Sequence, residues 1–254
     1  MVSIIGFDPV NLGSNPSETI KKLIFTIYID NVIYIIKMKR AYSSTSSPVL
    51  GEPKKIVLLG DGCIGKSTLF DKLDKLTDDN YRFPKKYKAT DNFDFKRIEV
   101  KTSGGIAIVD FWDTAGQENR GGLLRDAYLK GADGVLLLYD VTESKTKQNI
   151  PKWLDQIKKT VPGVPVAVLG NKSDKFSDLQ QSKSVKLRDC NLQRDYGYNE
   201  IRNFLISIKE DTYIEFTSGG FWSSEDNVKE KDGCLVGLEY ILKNLFGEPV
   251  KIEY

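Results

Sequence analysis

The sequence predicts an α/β fold, a mostly parallel sheet with helices on both faces. Three observations carry that prediction. The runs KKIVLLG (54–60), GVLLLYDV (134–141) and VPVAVLG (164–170) each hold an unbroken apolar core of four to six residues. Strands buried on both faces read this way, without the alternation of a half-solvated strand. Segments of helical period separate the runs. Each run ends in glycine or a polar loop, where open α/β sheets bind ligands.

Taken in order, the first fifty residues stand apart. The stretch IKKLIFTIYIDNVIYIIK, starting at Ile20, is broken by Asp30 and Asn31. Each apolar half is far shorter than the ~20 residues that span a bilayer. Three readings stay open: a hairpin around Asp30-Asn31, association with a membrane surface, or a segment that is not translated because Met38 is the start. SSTSSP at 43–48 reads as a flexible leader. Residues 1–53 are therefore expected to be an extension, and 54–254 the working domain.

Strand 54–59 is followed by KSTLFDKLDKL (66–76), which places Leu69, Leu73 and Leu76 on one helical face. FDFKRIEVK and GIAIVDFWD, joined by TSGG, read as a hairpin. GGLLRDAYLKGA is a short helix. TKQNIPKWLDQIKKTV (146–161) has helical period, with Trp153, Leu154 and Ile157 inward and Pro151 in the first turn. NEIRNFLISIKE (199–210) puts Ile201, Phe204, Leu205 and Ile208 on one face and reads as a helix. DTYIEFTS (211–218) reads as the last strand and GCLVGLEYILKNLF (233–246) as the last helix.

Composition narrows the chemistry. The net charge of +2 over 254 residues gives no electrostatic case for a nucleic-acid partner. There is no histidine, and Cys63, Cys190 and Cys234 stand far apart. Histidine catalysis is impossible, and a zinc site built on Cys and His is nearly excluded. The chemistry must rest on carboxylates, amides, Lys, Ser/Thr or a bound metal. A reducing compartment fits the cysteines, and the expected location is cytoplasm, nucleus or both.

GDGCIGKS (60–67) follows a strand and opens a helix, the context a phosphate-binding loop requires. Gly60, Asp61, Gly62, Cys63, Ile64, Gly65 and Thr68 would line the phosphates with backbone N–H groups at a helix N-terminus. Gly62 and Gly65 would allow close approach. Lys66 would reach the outer phosphates, and the Ser67 hydroxyl would hold Mg²⁺. In DFWDTAGQE (110–118), Asp113 at a strand end can hold the same ion, usually through water. Gly116 offers an N–H to the terminal phosphate, and Gln117 can orient an attacking water. In NKSD (171–174), Asp174 can accept from the N1 and N2 donors of guanine, a pair adenine lacks. Asn171 can bond loop and base, and the Lys172 stem can lie over the ring. These motifs define a P-loop NTPase that binds GTP or GDP with Mg²⁺.

Together the three strings resemble the Ras superfamily of small GTPases, strongly over about 54–175 and more loosely over 212–254. FPKKYKAT, WDTAGQE…GGLLRDAY, QNIPKW and NLFGEPVKIEY most resemble its Ran branch. The resemblance implies six strands with one antiparallel edge pair. It implies that Thr90 binds Mg²⁺ and senses the γ-phosphate, that Phe83 packs on guanine, and that Thr217, Ser218 and Gly219 form the base-contacting loop. It implies that an activator, an exchange factor, effectors and transport receptors read two switch segments, about 82–95 and 113–128.

The chain departs from the family at five places. Asn92 stands where a glycine is usual, Gly219 where the base loop has lysine, and Cys63 where the phosphate loop often has glycine. Residues 175–211 are expanded. The Ran branch's acidic tail and a C-terminal cysteine motif are absent, so no prenyl anchor is expected. These departures leave a non-catalytic, nucleotide-binding mimic as the alternative to a hydrolysing switch.

Overall fold

The computed structural model describes residues 48–74, 93–114, 122–175, 202–209, 212–215, 229–230, 233–247 and 250–253. The strands are β1 (Lys54–Leu59), β2 (Phe93–Thr102), β3 (Gly105–Thr114), β4 (Gly134–Asp140), β5 (Val166–Asn171), β6 (Arg202–Ser207), β7 (Thr212–Glu215) and β8 (Lys229–Glu230). The helices are α1 (Lys66–Asp74), α2 (Gly122–Leu129), α3 (Ser144–Gln148), α4 (Ile150–Thr160) and α5 (Val236–Phe246). The sheet order is β2-β3-β1-β4-β5-β6-β7-β8. β3, β1, β4, β5 and β6 run parallel, and β2 pairs antiparallel with β3. β1 to β5 are expected strands; the sixth was expected at 211–218, and β6 stands beside β5 in its place. β7 and β8 extend the sheet antiparallel beyond β6.

Alternate strand residues face opposite layers. Ile56, Leu58, Leu136, Leu138, Ala167 and Leu169 meet Leu69, Phe70 and Leu73 of α1 and Leu238, Ile241 and Leu242 of α5 in one buried cluster. α2 and α4 contribute the buried Leu129, Trp153, Leu154 and Ile157. α4 contacts β4, and α2 contacts β3 and α4. Helices thus cover both faces, as continuous apolar strands require.

Two segments differ from the sequence prediction. Residues 202–207 form a strand, not a helix. Phe204, Leu205, Ile206, Ser207 and Ile208 are all buried, so both faces of the segment are covered. A short run buried on both sides carries no period that separates strand from helix. The segment 146–161 is not one helix but breaks at Asn149 between α3 and α4. Pro151 lacks an N–H, and its ring would clash with the carbonyl four residues back, at Lys147.

Two residues of the predicted extension pair with the edge of β3. Val49 bridges Ile106, and the Leu50 N–H donates to the Ile106 carbonyl at 2.8 Å. The readings placed on residues 1–47, including the hairpin at Asp30-Asn31, fall outside the described residues. Among the described residues no helix is long and apolar enough to cross a membrane.

Arg97 on β2 donates Nε–H to Asp110 Oδ1 at 2.5 Å and an NH2 proton to Oδ2 at 2.6 Å across the β2–β3 ladder. The arginine side chain is 3% exposed and the carboxylate 15%. Removing the carboxylate takes away both of these charge-assisted hydrogen bonds from a buried guanidinium. Asp110→Ala is expected to lower stability by about 3 kcal/mol, measured as a shift of the urea midpoint at constant m.

Candidate guanine-nucleotide site

The strand order brings the carboxyl ends of β1, β3, β4, β5 and β6 to one edge, and the polar motifs lie there. The loop after β1 is built on left-handed backbone. Gly60 has φ +130°, and a Cβ there would lie 2.3 Å from the Leu138 carbonyl oxygen. Gly65 has φ +102°, and its Cβ would lie 2.5 Å from Asn171 Nδ2. Only glycine fits either place. Cys63, exposed at the tip, also has positive φ, +62°. Gly62, expected to serve close approach, is not among the left-handed residues.

Lys66 is buried and donates from Nζ to the carbonyls of Gly60 (3.0 Å) and Asp61 (2.6 Å). Burial pushes its ammonium down to about 8, against the upward pull of Asp113 and then Asp61. The loop thus holds a desolvated cation at its mouth. Ser67 Oγ donates to Asp113 Oδ2 at 2.5 Å, so helix α1 and strand β3 bring a hydroxyl and a carboxylate together. These are hard oxygen donors of the kind Mg²⁺ takes, with phosphate and water completing its shell. The donor set fits that ion. Thr114 Oγ1 donates to the Leu58 carbonyl at 2.7 Å and fixes the β3 end against β1.

The NKSD segment is tied to the phosphate loop by its own side chains. Asn171 Nδ2 donates to the Ile64 carbonyl at 2.9 Å. Lys172, at φ +68°, donates to the Cys63 carbonyl at 3.3 Å and pairs with the Asp140 carboxylate. Asp140 Oδ1 in turn accepts from the Thr142 N–H (2.9 Å) and hydroxyl (2.6 Å). Asp174 Oδ1 accepts from Ser207 Oγ at 3.0 Å, and the Ile208 N–H donates to Asn171 Oδ1 at 3.4 Å. The 60–65 loop, the 171–174 segment and the end of β6 are thereby one hydrogen-bonded unit.

Sequence reasoning missed Ser207, Ile208 and Lys209. The strand that pairs parallel with β5 is 202–207, so the segment leaving its carboxyl end begins at Ile208. The string Ser207-Ile208-Lys209 carries the serine and lysine of the family's Ser-Ala-Lys loop. Reading 199–210 as a helix hid that signal. Thr217, Ser218 and Gly219 lie outside the described residues, as do Phe83, Thr90, Gly116 and Gln117.

Beside the site, Phe95, Trp112 and Tyr128 link β2, β3 and α2. Ring centroids lie 5.4 Å apart for the first pair and 6.4 Å for the second. The Lys55 ammonium sits 4.3 Å from the Trp112 ring centre and donates to the Lys130 carbonyl at 2.9 Å. Burial pushes Lys55 down to about 8, opposed by Asp133 and Asp110. Between pH 8 and its ordinary 10.5 the unfolded chain holds this proton and the folded chain does not. Stability therefore rises with pH across that window, and below pH 8 the buried charge is a full cost. The stability of Lys55→Met relative to the parent is expected to fall as pH rises from 7.5 to 10, in urea titrations at fixed ionic strength.

Residues 55–215 match the model of the Ras family. Rab-7b of Paramecium octaurelia is 34% identical over 166 residues, 63% of this chain and 75% of its own. Rab-13 of Canis lupus familiaris is 35% identical over 162 residues, 63% and 74% of the two chains. RABA1b of Arabidopsis thaliana is 40% identical over 121 residues, 47% and 53%. These relatives carry Rab names, and the Ran branch expected from FPKKYKAT and QNIPKW finds no support in them. The match over 55–215, on a mostly parallel sheet with a phosphate loop at its carboxyl edge, establishes that the chain belongs to the Ras family of small GTPases.

Proposed function

We propose that this GTPase works as a guanine-nucleotide switch whose base is chosen by Asp174 and whose phosphates are held by residues 60–68. The observation that carries the reading is the bonded unit at the sheet edge. Lys66 is buried at the loop mouth, Ser67 meets Asp113, and Asp174 is held by Ser207. Lys66 neutralises outer-phosphate charge. Ser67 and Asp113 hold Mg²⁺, with Thr90 as a further ligand in the GTP state. When bound, that ion offsets charge developing on the β- and γ-phosphate oxygens. Gln117 orients the attacking water, and Gly116 contacts the terminal phosphate. Asn171 and Lys172 set the base side, and Ile208-Lys209 takes the base-loop role first placed on Thr217–Gly219.

Hydrolysis without a partner is slow on this reading, because none of the assigned residues is an arginine aimed at the phosphates. The family works with activators, exchange factors and effectors, and here they would read the segments 82–95 and 113–128. The Rab names of the relatives support a Rab-like role over one in nuclear transport. The alternative, a non-hydrolysing mimic, drew on Asn92 in the first switch and on Gly219 in place of a base-loop lysine. Lys209 after β6 speaks against the second of these. The test is displacement of a fluorescent GDP analogue under Mg²⁺. GTP and GDP are expected to compete, ATP is not, and EDTA should speed release. Absence of guanine-nucleotide binding would overturn the reading.

A further inference from the structure

Asp61 has a second environment that nucleotide binding does not explain. Its backbone carbonyl accepts from Lys66 at 2.6 Å, within the phosphate loop. Its side chain is turned to a different element. Oδ1 accepts the indole N–H of Trp153 at 3.0 Å, and Oδ2 accepts from Asn149 Nδ2 at 2.7 Å. Both donors belong to the start of α4, about ninety positions further along the chain. The residue is 9% exposed. A carboxylate beside a phosphate site would repel the ligand. Here its charge is met from behind by two neutral donors, and the loop is fastened to a helix.

That helix is fastened at its other end as well. Gln156 Nε2 (3.0 Å) and Thr160 Oγ1 (3.3 Å) both donate to Asp126 Oδ1 on α2. Asp126 lies inside the second segment expected to respond to nucleotide. Within α4, Trp153, Leu154 and Ile157 are buried, so the helix is a firm support.

We propose that Asp61 is a positioning residue: its bonds to Trp153 and Asn149 hold the phosphate loop in its binding shape and thereby slow nucleotide release. This rests on the phosphate loop being the nucleotide site. An acid suits the task better than an amide. Both partners are donors, and a carboxylate offers acceptors only, whereas an asparagine would turn an NH₂ against one of them. A loop freed from α4 samples shapes that no longer hold Lys66, so the bound nucleotide leaves faster while association is little changed.

The experiment is stopped-flow release of a fluorescent GDP analogue from the full chain under saturating Mg²⁺. Asp61→Asn and Asp61→Ala are each expected to speed release tenfold or more. Trp153→Phe should speed it several-fold, and the double variant Asp61→Ala/Trp153→Phe no more than Asp61→Ala alone. That non-additivity would not arise from two unrelated structural defects. With Trp112 and Trp222 replaced by Phe, Trp153 emission should differ between GDP and GTP forms and lose that difference in Asp61→Ala. If the Asp61 variants do not fold, Asn149→Ala and Trp153→Phe carry the same test. Release within twofold of the parent in variants that fold, or additive effects, would overturn the tether. Failure of the parent to bind the analogue would instead remove the nucleotide site.

Discussion

Gln117→Leu is expected to abolish activator-stimulated GTP hydrolysis while leaving nucleotide binding within a few-fold of the parent. The argument is chemical. In phosphoryl transfer the protein forms little covalent bonding of its own and acts by positioning and charge stabilisation. An amide is too weak a base to remove a proton from water. It can accept from the water and donate toward the phosphate, and so hold the nucleophile in line. Leucine matches its bulk but does neither. An activator that supplies an arginine adds roughly 10³–10⁵ in rate, and that gain depends on a correctly placed water. The stimulated rate should therefore fall to near the unstimulated one. Single-turnover hydrolysis of preloaded GTP, with and without the activator domain of a Rab GTPase, measures it. A variant stimulated like the parent would remove Gln117 from the water-positioning role.

How far this site could be read from the chain alone follows from what kind of signal each part leaves. The turn at 60–65 was legible at Gly60 and Gly65, though not at Gly62. Its chemistry is backbone chemistry, and glycine is the residue that tolerates φ +130° at position 60 and +102° at 65. Spacing and residue type together therefore report the shape. Asp113 and Asn171–Asp174 were legible because each ends an apolar strand, and the parallel order brings those ends together. Strand β6 was not. Residues 203–207 of the strand and Ile208 after it are buried, and a short run of that kind has no distinguishing period. The helical reading left Ser207-Ile208-Lys209 unconsidered as a strand-end segment, so the base-contacting role was placed on 217–219.

The contacts at Asp61 were illegible for a different reason. Nothing in the sequence near Asp61 indicates that Trp153 and Asn149 would reach it. The pairing arises only when α4 is laid against the carboxyl end of β1. Trp153 was read as a core residue, and it is one; its indole N–H also needed a partner once buried. The general point is that motifs report local backbone chemistry, whereas long-range side-chain bonds are products of the assembled layers.

Asp174→Asn should exchange guanine selectivity for a preference set by the mirrored hydrogen-bond pattern. The carboxylate offers only acceptors, one of them already taking the Ser207 hydroxyl at 3.0 Å. Guanine presents two donors, N1–H and N2–H, and a charge-assisted pair to them is worth roughly 3–6 kcal/mol gross at 1.5–3 each. The amide keeps one acceptor and turns an NH₂ toward the other, so one guanine donor meets a donor across the contact. GTP and GDP affinity should fall by about 10²–10⁴-fold. A xanthine nucleotide carries an oxygen acceptor at C2 in place of the amine, and it should gain, because the new NH₂ can donate to it. ATP offers neither pattern and should not gain comparably. Ser207→Ala is expected to act in the same direction as Asp174→Asn on GTP but more weakly, by about ten- to a hundredfold, since a hydrogen bond to a charged group is worth about 1.5–3 kcal/mol. It should not raise xanthine affinity. Competition titrations against a fluorescent GDP analogue, and its xanthosine counterpart for the variant, separate these outcomes. Unchanged preference for GTP over XTP in a folded Asp174→Asn chain would place base recognition elsewhere. A Ser207→Ala chain with parental affinity would show that the carboxylate needs no support from β6.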